Sequence, residues 1–139
     1  MKLRFTEDIL GHAVEESYYE LSVLGGEMRE AYEGTPDSLK DSAGRSRELA
    51  ADILEDVTSP FVPVTLKDEA IIWIEKRPSP SRKLFRPARR DNATSALRAC
   101  ISFLSKIKSP DEATILFREQ LERDVEMFDS VFFPGMTGR

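Results

Sequence analysis

Cysteine is almost absent: Cys100 is the single one in 139 residues, which excludes an internal disulfide framework. Set beside Leu97, Ile101 and Leu104 on a helical pattern, it reads as a small core residue. Long hydrophobic runs are absent too. The longest aliphatic cluster, Ala70 to Ile74, is far too short to span a bilayer, and the opening residues Met1 to Asp8 carry no apolar signal core. The expectation is a cytoplasmic protein with no membrane partner. No serine is flanked by glycines in a nucleophile elbow and no glycine-rich phosphate loop occurs, so neither of those chemistries has its usual sequence support. Histidine is limited to His12.

What is present fits a globular domain: 40% hydrophobic and 32% charged residues, enough length to bury a core unaided. The charge is unevenly spread. Between Lys76 and Arg90 lie seven basic residues, no acid and three prolines, which leaves 13 basic against 25 acidic residues elsewhere, or net −12 beside +7. Such segregation calls for a polyanionic ligand, an acidic partner or the protein's own acidic helices.

Periodicity predicts an all-α, elongated bundle of four main helices in one domain, 1–139. Its parts are an N-terminal helical hairpin (1–57), a basic, proline-broken crossover (58–90) that can hold a short β-hairpin, and a C-terminal helical hairpin (91–139). From a cap at Thr6, Leu10, Val14, Ser17, Leu21, Leu24, Met28 and Ala31 alternate steps of four and three, with a kink or break at Gly25 and Gly26 open. In the second helix, from about Arg45 to Val57, Leu49, Ile53, Leu54 and Val57 form the expected apolar face. Ala70 to Ile74 favours a strand by its branched and aromatic residues, a helical turn being the alternative, and Lys83 to Arg86 is its expected strand partner. Asp91 or Asn92 can cap a third helix on Ala93, Leu97, Cys100, Leu104 and Ile107. Ser109 and Pro110 start a fourth, reaching about Val131 on Ile115, Leu121, Val125, Phe128 and Phe132.

Three constellations bear on chemistry. In the basic segment, Arg82, Lys83, Arg86, Arg89 and Arg90 can meet phosphates by charge while Phe85 offers a ring for stacking on a base. Equally, these cations can lie on Glu15, Glu16, Glu20 and Glu27 of the first helix. Glu27 and Glu30 face Glu48 and Asp52 if the first hairpin closes, an arrangement able to hold magnesium against a nucleotide; an ordinary acidic surface uses the same residues. His12, four residues from both Asp8 and Glu16, belongs to an ion-pair ladder, a metal site or a general base.

Two resemblances accompany these patterns. The four carboxylates resemble the paired acids of all-α nucleotide pyrophosphohydrolases of the MazG type, although that family spaces its second pair by three and Glu48 and Asp52 are four apart. Glu27 to Leu39, Arg47 to Glu55, Ser81 with Arg82, and Arg89 to Asp91 together are similar to a stretch of small helical proteins from bacteriophages and mobile elements. That resemblance implies an origin and no activity. The leading expectation is a nonenzymatic binding protein whose basic crossover contacts a nucleic acid, a nucleotide or an acidic protein. The alternatives are a magnesium-dependent nucleoside triphosphate pyrophosphohydrolase, the one reading with a cofactor, and a protein-interaction or homodimerisation module.

Overall fold

A computed structural model describes residues 5–75 and 85–133. Its elements run β1 (Thr6–Ile9), α1 (Leu10–Glu33), a 3-10 turn (Asp37–Leu39), α2 (Ala43–Leu54), the single-turn α3 (Val64–Lys67), β2 (Ile71–Ile74), α4 (Arg86–Ser105) and α5 (Glu112–Asp129). The four long helices are the expected bundle, with a small two-stranded sheet added.

At 24 residues α1 is about 36 Å long and forms the spine. Its predicted seam is its buried face: Leu10, Val14, Ser17, Leu21, Leu24 and Met28 are all buried. Helix α2 packs along one side of α1 and α4 along another; α5 packs on α4, while α2 and α5 barely meet. The helix is continuous through Gly25 and Gly26, so the chain does not break there. At Gly25, an added Cβ would lie 2.4 Å from the Glu55 backbone nitrogen and 2.6 Å from the Leu54 carbonyl carbon. Glycine there lets the end of α2 touch the spine.

Three local expectations are corrected. First, Thr6 does not cap α1: Thr6–Ile9 is a strand, antiparallel to Ile71–Ile74 with Thr6 opposite Ile74 and Ile9 opposite Ile71. The chain passes from strand to helix at Leu10, whose N–H donates to the Ala70 carbonyl at 2.8 Å while the Asp8 carboxylate accepts from the Ile9 N–H at 2.8 Å. These bonds satisfy donors that a helix start leaves open. Second, β2 pairs with β1; of its expected partner segment, Arg86 is the first residue of α4, and Lys83 and Leu84 lie outside the described residues. Pro87 begins that helix instead of breaking the chain, because a first-turn residue needs no N–H partner. Third, α5 is capped by Asp111, whose carboxylate accepts from the Thr114 N–H at 2.8 Å; that bond holds its carboxyl below the usual range. Ser109 instead adopts φ 52°, and Phe132 is exposed.

Candidate functional site

Arg89 lies one turn into α4 and points into α1. It is only 2% exposed, and Glu20, its partner, 1%. The guanidinium donates from Nε to Glu20 Oε2 at 3.0 Å and from Nη2 to Glu20 Oε1 at 3.2 Å, and it reaches both Glu27 oxygens at 3.0 Å. Arg86 adds a bond from Nε to Glu27 Oε1 at 2.8 Å. Two cations and two anions thus close a buried network in which the planar guanidinium fork matches each carboxylate. Burial alone would raise the Glu27 carboxyl, but the hydrogen bonds and charges of Arg89 and Arg86 outweigh it and hold that group below the usual carboxylate range. Burial would likewise lower the Arg89 guanidinium, and its bonds to Glu20 and Glu27 raise it instead.

Arg90, on the next face of α4, closes the end of α5. Its Nη1 donates to the Phe128 carbonyl at 2.9 Å and to the Val131 carbonyl at 3.0 Å, its Nε bonds Asp91, and the group lies 5.4 Å from the Phe133 ring centre. A cation there answers the open carbonyls and the negative end of the helix dipole. Three of the six expected ligand-binding residues therefore have partners inside the chain. Phe85 is half-exposed at the cap of α4. Arg82 and Lys83 lie outside the described residues.

Two of the four carboxylates of the magnesium alternative, Glu27 and Asp52, are engaged by arginines. Glu27 belongs to the arginine network, and Asp52 accepts from Arg29 at 2.6 Å, with Glu55 beside it at 3.2 Å. Among the described residues the one grouping of three His, Cys, Asp or Glu side chains with ligand atoms within 4.8 Å of one another is Asp8, His12 and Glu16. There His12 Nδ1 lies 3.5 Å from Asp8 Oδ1, with Asp8 buried and His12 exposed. Cys100 is fully buried, and burial pushes its thiol up to about 12, so at neutral pH it is a protonated core side chain and no nucleophile.

The sequence did not disclose the concave surface between α2 and α5. Two adjoining cavities of about 290 and 490 Å³ share Thr58 and Gln120. One wall carries Ile53 and, after the helix, Val57 and Phe61; the other carries Ala113, Leu116 and Met127 of α5, with Phe117 and Phe128 buried beneath. Phe61 is 82% and Leu116 56% exposed. Leu49, four residues before Ile53 and on the same helix face, is also exposed. The predicted apolar face of α2 thus exists, but α1 takes Ala50, Ala51 and Leu54 while Leu49 stays uncovered and Ile53 and Val57 only half-buried. Asp124 anchors the α5 wall: it accepts from the Tyr18 hydroxyl at 2.5 Å and from the Gln120 amide at 2.9 Å. Burial and that bond push the Tyr18 hydroxyl well above its usual range. Asp56 on the opposite wall has no ion pair among the described residues.

No helix of the described residues is long and apolar enough to cross a membrane. Comparison of the chain with protein-family models, curated proteins and solved structures finds no match.

Proposed function

We propose that this is a nonenzymatic binding protein that works by contact with another protein, of the kind carried by bacteriophages and mobile elements. The observation that carries the reading is a contrast within the molecule. Arg86, Arg89 and Arg90 are held by Glu20, Glu27 and the end of α5, whereas an apolar surface stands open between α2 and α5. Exposed side chains as large as Phe61 and Leu116 along one groove are a recurrent mark of interaction sites, and burying them is favourable by roughly 25 cal/mol per Å² of apolar surface. A phosphate bound at Arg86 and Arg89 would have to displace two carboxylates already in good geometry, which costs a buried, unpaired charge. The residue resemblance noted above supports the phage-like origin.

The test is affinity capture from lysate of the cells in which the protein occurs, using wild-type bait and a Phe61→Ser, Leu116→Ser double variant whose circular dichroism matches wild type. A protein retained by the wild type and lost from the variant is the expected outcome. Identical sets of captured proteins, with the variant folded, would reject the surface as an interaction site.

A further inference from the structure

Deepening the protein-contact reading, on which it rests, we infer that the groove between α2 and α5 holds an amphipathic helix of a partner protein whose apolar stripe is flanked by lysine or arginine. The occupant's secondary structure follows from the walls. One wall is α5, with main-chain groups bonded internally; the other is the end of α2 and the non-strand chain from Asp56 to Phe61, and neither offers an extended peptide a strand edge to join. A helix satisfies its own backbone and needs only side-chain contacts. Its length follows from α5, where lining residues run from Ala113 to Phe128, about 22 Å or four helical turns at 1.5 Å per residue.

Charge selects its flanks. Among the described residues, the two ionisable side chains lining the groove are Asp56 and Asp124, and no cation lines it. Asp56 is exposed in the turn that follows α2, and Asp124 faces it from α5. An occupant with lysine or arginine beside its apolar stripe meets these acids, whereas an acidic helix of equal hydrophobicity is repelled. A second copy of this chain is a poorer occupant, since it brings the same acids and a net charge of −5.

The probe is a pair of hydrocarbon-stapled 16-residue helices with the same leucine stripe, one flanked by lysines and one by glutamates, titrated by calorimetry into the full chain at physiological salt. The lysine peptide should bind one to one, at least tenfold tighter than the glutamate peptide. Leu116→Glu should weaken it at least tenfold, and Leu39→Glu, an exposed change outside the groove, should leave it unaltered. Phe61→Ser, in the connection after α2, gives a second groove variant outside every long helix. No binding, equal binding of both peptides, or indifference to Leu116→Glu and Phe61→Ser would each overturn the inference, as would concentration-dependent self-association through this face by light scattering. If capture from lysate depends on the groove while the lysine peptide fails to bind, protein contact stands and the basic helix falls. If both fail, the reading beneath it falls as well.

Discussion

Arg89 shows how one residue can be misread by composition and explained by position. By count it belongs to a cationic patch; by placement it is among the most deeply buried side chains, fixed by four hydrogen bonds to Glu20 and Glu27. Removing one partner of such a network leaves an uncompensated buried charge and typically costs about 3–5 kcal/mol, while replacing partners together by apolar groups costs much less. Arg89→Met is therefore expected to lower unfolding free energy by about 3–5 kcal/mol in urea at pH 7, and adding Glu20→Leu should restore part of that loss. The same network sets an acid limit. Because the folded Glu27 carboxyl lies below its unfolded value, the unfolded state binds the proton first. This stabilisation is full above the usual carboxylate range and is lost as pH falls through the folded value. Glu27→Gln should accordingly be less stable than wild type at pH 7 and differ less from it at pH 3, and parallel pH profiles in urea would contradict the assignment.

At the scale of elements, the neighbouring glycines of α1 make a controlled comparison. Both sit mid-helix, where glycine costs about 1 kcal/mol relative to alanine. A Cβ at Gly26 meets nothing within 4 Å, whereas at Gly25 it meets the backbone of Leu54 and Glu55 below 3.0 Å. Gly26→Ala should stabilise the protein by up to about 1 kcal/mol. Gly25→Ala should destabilise it, because α2 must move off the spine and give up contacts around Leu54. Equal effects in urea titrations would mean that α1 and α2 do not cross there. Nothing in the sequence distinguishes the two glycines, and the same limit governs what else was legible. The seam of α1 and the buried positions Ala93, Leu97, Cys100 and Leu104 of α4 follow from periodicity, since a 3.6-residue repeat records which face is covered. Strand β1 is four residues with two acids, too short to show a period of two, and its partner is about sixty-five positions away. The start of α4 was hidden because proline serves equally to end a helix and to open one. The open face of α2 was hidden for a different reason: Leu49, Ile53 and Val57 announce an apolar stripe, and a stripe does not say whether its own chain covers it.

For the whole molecule, charge segregation is largely resolved internally wherever the described residues carry it. Arg86 and Arg89 neutralise the middle of α1, and Arg90 joins α4 to the end of α5. That changes how a nucleic-acid role has to be tested. Charge reversal at Arg86 and Arg89 would set new carboxylates against Glu20 and Glu27 and unfold the protein whether or not it binds a phosphate, so a loss of binding there says nothing about contact. Arg82→Glu with Lys83→Glu is the informative pair, since it leaves Arg86 and Arg89 in place on Glu20 and Glu27. Each phosphate neutralised contributes about 0.7 to 0.9 to the slope of log affinity against log salt. With Arg86, Arg89 and Arg90 engaged inside the chain, fluorescence anisotropy of labelled single- and double-stranded oligonucleotides should stay flat at physiological salt. At low salt any binding should have a slope below about 2 and be indifferent to Leu116→Glu. A saturable curve with a slope of about 3 or more that the Arg82 and Lys83 reversals abolish would move the function back to the basic segment. In that event the groove between α2 and α5 would need an explanation of its own, because a phosphate backbone has no use for an apolar trough rimmed by aspartates.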